Sequence, residues 1–226
     1  MKAVKIICLS VITAFFACNF VLAKGLVAWW KFDENKGGIA NDSAGNCHGM
    51  VNGPLWAKGK FGSALRFNDS ENYVSILDAA ALRIKDEITI EFWIFPEQYS
   101  EDENRIICKP RSYNLDLFED VPRFQVFING HHESVCGEYK LPEKIWHHLA
   151  ATYNSKTGLM QLYVNGDTVS EQLLDEEESR EINVANFDLW IGATETAPSF
   201  FGIVDEIKIY DTVLSRKEIK SHSVWR

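Results

Sequence analysis

The stretch GIVDEIKIYDTVLS at residues 202–215 places a carboxylate among the apolar residues of a β-strand. Ile203, Ile207 and Ile209 occupy one parity of the alternating pattern, which indicates a strand with one buried face. Asp205 shares that parity. An ionised carboxylate on a buried face costs free energy unless a cation or hydrogen-bond donors compensate its charge. The pattern therefore predicts that Asp205 faces either a metal ion or a set of backbone N–H groups.

Two pairs of adjacent histidines are the other residues whose chemistry suggests a functional role. His147 and His148 lie in an apolar strand, where neighbouring side chains point to opposite faces, so they cannot bind one ion together. We interpret this pair as structural. His131 and His132 follow a predicted hairpin turn and are expected to be exposed. Neither pair predicts a catalytic or metal site.

The elements that must position these residues are β-strands. Short apolar and aromatic runs alternate with turns, and the Asn-Gly pairs at 129–130 and 165–166 are strong hairpin signals. Such a series is typical of an antiparallel sandwich or jelly roll. Helix is nearly absent, although Ser215 and Glu218 have the spacing of a capping box and predict a short C-terminal helix. No linker divides the chain, so we predict one all-β domain over 24–226.

The first 23 residues have the layout of a secretory signal peptide. Lys2 and Lys5 precede an apolar run over 6–16, and the residues at 21–23 suit cleavage after Ala23. The chain is therefore predicted to be secreted or periplasmic, with no membrane insertion after cleavage. A lipoprotein anchored at Cys18 is the alternative.

The charge of the chain argues against nucleic acid and anionic membranes as partners. The formal net charge is −9, and loss of the two lysines in the signal peptide would change it to −11. A chain this acidic has no electrostatic basis for binding nucleic acid or an anionic membrane. Its acids suit a divalent cation, and they also serve simply to keep a protein soluble.

Three cysteines remain after the predicted cleavage: Cys47, Cys108 and Cys136. A bridge between Cys108 and Cys136 would stabilise the fold by about 3.5 kcal/mol. The segment between them has the pattern of a four-strand meander, which would separate the two thiols by three strand spacings, about 14 Å. A bridge then requires the fourth strand to leave the sheet, and the sequence leaves both possibilities open.

Five motifs follow one another along the chain: WWKFDENKGGIANDSAGNCHGMVNG, GKFGSALRFNDSENYVSI, ITIEFWIFPE, WHHLAATYNSKTGLMQLYVNGD and GIVDEIKIYDTVLS. In this order they resemble the bacterial LamG-like jelly-roll domains of the concanavalin A-like lectin/glucanase superfamily, over about residues 25–220. The resemblance implies two antiparallel sheets packed face to face, often with a bound calcium ion. This fold hosts lectins, adhesins, hydrolases and spacer modules, so the fold alone does not assign a function.

The resemblance also suggests what Asp205 faces. It implies that the first and last strands are antiparallel neighbours, which would bring Glu34 and the loop containing Asp42 next to Asp205. These three carboxylates are the predicted ligands of a structural calcium ion, which takes about six to eight oxygen ligands, including backbone carbonyls. The alternative is that Asp205 only accepts backbone N–H bonds that fix a loop.

Catalysis is not predicted. Glucanases of the superfamily carry Glu-x-Asp-x-x-Glu on one strand, because two carboxyl groups must flank the bond that is cleaved. The segment NLDLFE has Asp116 and Glu119 at the right spacing, but Asn114 stands in the position of the nucleophile. An amide cannot form the glycosyl-enzyme bond. The segment EFWIFPE has Trp93 where the central aspartate should be.

The predicted function is a non-catalytic carbohydrate-binding or adhesive module. Sugar sites combine an aromatic platform with a few polar groups, and Tyr99 and Tyr113 lie on predicted loops or strand ends, with Arg111 close to Tyr113. These three are the predicted ligand-binding residues. The expected partner is a glycan or polysaccharide. The alternative is a protein-interaction or structural surface domain without glycan binding, with a cell-surface protein as partner. A glycan-cleaving enzyme with an unfamiliar site is the third hypothesis.

Overall fold

The computed structural model describes residues 24–99, 104–175, 179–194 and 200–224, so the predicted signal peptide lies outside the described residues. Within these ranges the chain is almost entirely β-strand, with a 3₁₀ turn at Ala80–Leu82 and one helix, α1, at Arg216–Ser223. The strands are β1 (Leu26–Trp30), β2 (Ile39–Ala40), β3 (Gly49–Asn52), β4 (Leu55–Lys58), β5 (Ser63–Phe67), β6 (Tyr73–Ile76), β7 (Glu87–Gln98), β8 (Asn104–Lys109), β9 (Tyr113–Phe118), β10 (Val121–Ile128), β11 (His131–Cys136), β12 (His147–Asn154), β13 (Leu159–Val164), β14 (Asp167–Leu173), β15 (Leu189–Gly192) and β16 (Phe201–Tyr210).

These strands form two antiparallel sheets packed as a sandwich. Sheet A has the order β14-β13-β12-β7-β16-β5-β4, and β1 pairs with β16 on the same edge as β5, farther along the strand. Sheet B has the order β11-β10-β9-β8-β15-β6-β3-β2. The prediction of an all-β, two-sheet antiparallel jelly roll with a short C-terminal helix is confirmed.

The core lies between the two sheets and is filled by alternate residues of each strand. Ile90 and Phe92 of β7 and Leu115 and Leu117 of β9 are completely buried in it. Each such side chain contributes about 1.5–3 kcal/mol by leaving water. The residues between them point away from the core, so the chemistry available to a ligand lies on the outer faces of the sheets.

A β-bulge in β16 changes the direction in which Asp205 points. The register with β7 shifts between Asp205 and Lys208, and Glu206 adopts a φ of +55° in the left-handed region. Beyond the bulge Ile207 and Ile209 are part of the core. Asp205 instead lies on the outer side of sheet A. The prediction that Asp205 points in the same direction as Ile207 and Ile209 is therefore wrong, because one extra residue in the strand reverses the alternation.

The four-strand meander is present, and its last strand stays in the sheet. Strands β8 to β11 are consecutive neighbours in sheet B. Cys108 on β8 and Cys136 on β11 therefore have two strands between them, and no disulfide joins this pair. The open question of a bridge is answered by the distance that two intervening strands impose.

Helix α1 begins at the predicted capping box and covers part of sheet A. The Ser215 Oγ accepts a hydrogen bond from the Glu218 backbone N–H, and the Glu218 carboxylate accepts one from the Ser215 N–H at 2.8 Å. Leu214 and Ile219 pack on Tyr163 of the outer face. In the part of the chain that the structure describes, no helix is long and apolar enough to cross a membrane.

Candidate functional site

A cavity of about 580 Å³ lies on the outer face of sheet B. Its size falls in the range of about 300–1,000 Å³ that is usual for small-molecule sites. Outward-facing residues of β8, β9, β10 and β15 form its floor, and the connections beside these strands form its wall. The lining residues with the chemistry to hold a ligand are Arg105, Arg111, Asn114, Gln125, Asp188 and Trp190.

Trp190 supplies the aromatic surface of this cavity. Its neighbours Leu189 and Ile191 are completely buried, so the alternation of β15 turns Trp190 outward, where it is half-buried. The ring makes an edge contact with the ring of Tyr73, and the two centroids are 5.1 Å apart. In sheet B Trp190 lies opposite Cys108 of β8, so it is next to the polar part of the cavity.

Two carboxamides form the polar floor. Asn114 of β9 lies opposite Gln125 of β10, and their amide groups hydrogen-bond at 2.8 Å. The Cys108 sulfur is 3.7 Å from the Asn114 side chain. Because Gln125 is half-exposed and its amide has both a donor group and an acceptor, its one bond to Asn114 leaves capacity for the hydroxyl groups of a ligand.

Asp116, on the same outer face as Asn114 and beside this floor, is a buried anchor for two arginines. Its carboxylate accepts hydrogen bonds from Arg105 and from Arg123, whose Nε and Nη2 are each 3.0 Å from a carboxylate oxygen. The Asp116 side chain is completely buried, and the Arg123 guanidinium also lies 4.6 Å from the centroid of the Phe118 ring. Glu119 is exposed in the turn that follows β9. The segment with the incomplete glucanase pattern therefore lines the cavity, but its aspartate is occupied by ion pairs.

The predicted ligand-binding residues are not brought together. Arg111 lines the cavity. Tyr113 is buried in the core, where its hydroxyl donates to the Leu82 carbonyl at 2.9 Å, so the prediction for Tyr113 is wrong. The physical reason is that Tyr113 falls on the inward parity of β9. Tyr99 lies outside this cavity, half-buried against the core, with its hydroxyl donating to the Leu141 carbonyl.

Asp42, one of the predicted calcium ligands, fixes the loop in which it lies. Its Oδ1 accepts hydrogen bonds from the backbone N–H groups of Trp29 and Ala44, each at 2.9 Å, and its Oδ2 accepts one from Cys47 at 3.0 Å. Three donors compensate the charge of this buried carboxylate. This arrangement is the loop-fixing role that the sequence offered as the alternative for Asp205.

Asp205 itself faces the backbone of the segment 59–63. It is completely buried, and its Oδ2 accepts a hydrogen bond from the Phe61 N–H at 3.0 Å. Burial raises the pKa of this carboxyl to about 8; the Phe61 bond opposes the rise, and the charges of Glu206 and Asp33 add to it. Within the described ranges its Oδ1 has no hydrogen-bond partner.

Glu34 has a third, separate set of contacts. Its Oε1 accepts hydrogen bonds from the backbone and side chain of Asn41, at 2.8 and 2.9 Å. Among the residues that the structure describes, no group of three or more His, Cys, Asp or Glu side chains is arranged to hold a metal ion. The predicted set of Glu34, Asp42 and Asp205 therefore does not form one cluster of ligands. Calcium binding stays a prediction. The buried Glu34 Oε2 and Asp205 Oδ1 have no hydrogen-bond partner among the described residues, so they are the carboxylate oxygens still available to an ion.

A second cluster of ionisable groups, centred on Glu91, lies beneath α1 on the outer face of sheet A. Glu91 is buried and contacts His222 Nδ1 at 2.9 Å, the Tyr210 hydroxyl at 2.9 Å, Lys208 Nζ at 3.3 Å and His148 Nε2 at 3.5 Å. Burial alone would raise the pKa of Glu91, but hydrogen bonds from the two histidines and the charge of Lys208 hold it well below its ordinary value. The cluster links α1 to the sheet, which agrees with the structural interpretation of His148.

Sequence reasoning did not identify Trp190 and Gln125 as site residues. A signal for Trp190 was present, because the apolar residues on either side of it define the inward parity of β15. A tryptophan on the outward parity of a strand places a large aromatic surface where a ligand can reach it.

Similar solved structures have the same fold. Domain 4 of AbnA, a GH43 extracellular arabinanase from Geobacillus stearothermophilus, solved with arabinotriose, has a TM-score of 0.70 and 21% identity over 88% of this chain and 98% of that chain. The binding domain of Paraclostridial Mosquitocidal Protein 1 has a TM-score of 0.72 and 18% identity over 88% and 52%. The binding domain of Botulinum neurotoxin DC, solved with SialylT, has a TM-score of 0.67 and 15% identity over 88% and 50%.

The sequence comparisons define the family. No curated protein sequence matches the chain. A family model described as the concanavalin A-like lectin/glucanases superfamily matches residues 68–220, which include most of both sheets and the cavity. On this match and on the two-sheet jelly roll, the chain belongs to the concanavalin A-like lectin/glucanase superfamily.

Proposed function

We propose that this chain is a secreted, non-catalytic module that binds a glycan in the cavity on the outer face of sheet B. The observation that carries the proposal is the position of Trp190, half-buried and turned outward in a cavity that the amides of Asn114 and Gln125 also line. A sugar ring has apolar C–H faces and hydroxyl edges. A cavity lined by an aromatic ring and by amide groups matches both.

Two further observations support binding rather than cleavage. The Asp116 carboxylate, the one aspartate of the glucanase-like segment, is buried and ion-paired to two arginines, so it is not free to act on a substrate. Two of the similar structures named above are binding domains, and two were solved with oligosaccharides. Their low identity makes this support for the class of function and not for any one sugar.

The alternative is a protein-interaction module. It is favoured by a further similar structure, the binding domain of Botulinum neurotoxin DC in complex with rat synaptotagmin II. A protein ligand would use a wide surface, whereas the cavity on sheet B is a defined depression with one tryptophan at its floor. We therefore place the glycan first.

The experiment is a glycan array with the purified mature chain, run in calcium and in chelator, followed by titration of the best ligand. Trp190→Ala is expected to weaken binding at least about tenfold, the effect of losing a central aromatic contact. The matched control is Trp146→Ala, since Trp146 is a half-buried tryptophan on the outer face of sheet A, where it contacts the Phe95 ring. Melting curves establish that both variants fold.

Three results would contradict the proposal. One is binding that Trp190→Ala leaves unchanged. Another is the absence of glycan binding together with capture of a protein partner by the wild type and not by Trp190→Ala, which would favour the alternative. The third is the release of new reducing ends from a polysaccharide, because a non-catalytic module cannot produce them.

A further inference from the structure

One row of side chains crosses the whole outer face of sheet B. Residues that lie opposite each other in paired strands are neighbours on the same face, so the register of the strands defines such a row. Trp190 lies opposite Cys108 of β8 on one side and opposite Ser75 of β6 on the other. Continued in both directions, the row has one residue from each of the eight strands: Ile39, Met50, Ser75, Trp190, Cys108, Asn114, Gln125 and Ser134.

The residues of this row point away from the core. Ala40, Val74 and Ile191 adjoin row residues in β2, β6 and β15. All three are completely buried, so the alternation of these strands turns the row outward. Cys108 and Asn114 line the cavity described above and are buried at its floor. The row therefore passes through the cavity.

The row is longer than the cavity. Seven spacings of about 4.8 Å between the eight strands give it a length of about 34 Å. Its central residues, from Trp190 to Gln125, line the cavity. On the side of β11 the row continues by one residue, and on the side of β2 it continues by three.

Met50 and Ile39 form an apolar surface at the β2 end of the row. They lie directly opposite each other in β3 and β2, and they are 56% and 48% exposed. Single exposed apolar residues are ordinary, whereas two side by side in line with a cavity extend the apolar surface available to a ligand. The unbranched methionine side chain can also adapt its shape to that ligand.

Ser75 separates this apolar surface from Trp190. Its hydroxyl can both donate and accept a hydrogen bond. From Met50 to Trp190 the row therefore changes from apolar to polar and then to aromatic. This pattern matches a sugar chain, because each sugar unit has C–H faces for the apolar side chains and hydroxyl edges for the polar ones.

The dimensions of the row suit a chain better than a single sugar. One unit of an extended glycan chain is about as long as one strand spacing, so a chain that crosses the strands places successive units over successive residues. A short oligosaccharide would fill the cavity and leave Met50 and Ile39 in water. Because β2 and β11 are the edge strands of sheet B, the row does not end against another strand of this sheet.

Building on the proposed function, we propose that the ligand is a linear polysaccharide that lies across the strands of sheet B. Met50 and Ile39 form a subsite for sugar units beyond those held in the cavity. Trp190 then contacts a unit in the interior of the bound chain. The module therefore binds along a polysaccharide and does not require a free chain end.

The test measures affinity against chain length by titration calorimetry. Oligosaccharides of about two to about eight units are prepared from arabinan, xylan, mixed-linkage glucan and pectin, and from any other polysaccharide that binds on the array, since about eight units would cover the row. In the series that binds, affinity is expected to rise about fivefold or more between about four units, which fill the cavity, and about seven, which reach Met50 and Ile39.

Met50→Ala is expected to weaken binding of the long chains about fivefold, the effect of losing one apolar contact, and to leave binding of the short chains unchanged. Ile39→Thr, which keeps a β-branched residue in β2, should act in the same way. The matched control is Leu55→Ala, since Leu55 is 51% exposed on β4 of sheet A and should affect neither class of chain. Thermal melting checks that the three variants remain folded.

The outcomes separate this inference from the proposed function. Affinity that stops rising once a chain fills the cavity, or that Met50→Ala leaves unchanged for long chains, would overturn the extended subsite and leave the site at Trp190. An equal loss for short and long chains, or an equal effect of Leu55→Ala, would overturn the role of Met50. A change of oligomeric state in Met50→Ala with unchanged glycan affinity would assign the apolar pair to contact between copies of the chain instead. Absence of binding to every glycan would overturn the proposed function itself.

Discussion

Asp205→Asn is expected to stabilise the protein at neutral and alkaline pH while changing little near pH 4. The reason is that Asp205 is completely buried, with one carboxylate oxygen bonded to the Phe61 N–H and the other without a partner among the described residues. Burial raises the pKa of its carboxyl to about 8. In the unfolded chain an aspartate has a pKa of about 3.9.

The sign and size of the effect follow from proton linkage. Between these two pKa values the folded state holds a proton that the unfolded state releases, so the free energy of unfolding falls as pH rises. The slope is about 1.4 kcal/mol per pH unit, which amounts to about 4 kcal/mol between pH 4 and pH 7. An asparagine is neutral throughout, resembles the protonated carboxyl in shape, and its carbonyl can still accept the Phe61 N–H. The free energy of unfolding of the variant therefore does not fall in this way as pH rises.

The assay is urea unfolding of wild type and Asp205→Asn at several values between pH 4 and pH 9, in chelator. The gain of the variant should grow steadily with pH and level off near pH 8. Asp211→Asn is the matched control, since Asp211 is exposed just after the same strand, and its effect should not vary with pH in this way.

The same two proteins measured in calcium test the other prediction for Asp205, which is that it binds the ion. If Asp205 were a calcium ligand, its carboxylate would be ionised in the holo protein, and Asp205→Asn would lower stability in calcium at neutral pH. Wild type would then also melt at a higher temperature in calcium than in chelator. The result that would refute the raised pKa is a difference between the two proteins in chelator that is constant over the whole pH range.

Two more predictions concern buried carboxylates. Glu91→Gln should destabilise the protein by about 3 kcal/mol at pH 7, because His148 and Lys208 lose a buried anionic partner. Since the pKa of Glu91 is lowered in the folded state, this contribution is present above about pH 4.5 and is lost as pH falls through the folded pKa, so the two proteins should converge in acid. Asp42→Ala should cost about 3 kcal/mol, because it leaves three backbone N–H groups without their acceptor. Urea unfolding measures both losses, and the loss from Asp42→Ala should be the same in calcium and in chelator; a loss that appears only in calcium would favour a metal ligand.

The fold was predictable from the sequence because its signals are local. Alternation along each strand, Asn-Gly turns and the capping box of Ser215 and Glu218 each depend on a few neighbouring residues. The direction of Asp205 was not predictable in this way. It depends on a bulge at Glu206, where a residue other than glycine adopts a positive φ, and nothing in the alternating pattern marks that position.

The site was less predictable because its residues are distant in the sequence. Arg111 was identified from its own neighbourhood, but Tyr113 was assigned to the ligand although it lies on the inward parity of β9. Trp190 reaches the cavity only because β15 pairs with β8, which places it opposite Cys108. The two strands are far apart in the chain, and no local feature of the sequence indicates that they pair.

The two outer faces of the sandwich differ in what covers them, and this difference is the reason to expect binding on sheet B. On sheet A, Glu91 lies beneath α1 and Asp205 beneath the segment 59–63, and both are completely buried by their own chain. Side chains that are buried in this way contribute to the stability of the fold and cannot contact a ligand. On sheet B, Trp190 and Gln125 remain half-exposed, and the buried carboxylate of Asp116 orients the guanidinium groups without occupying the cavity. A site must keep some of its polar and aromatic atoms accessible while buried neighbours hold them in position. The outer face of sheet B meets both conditions.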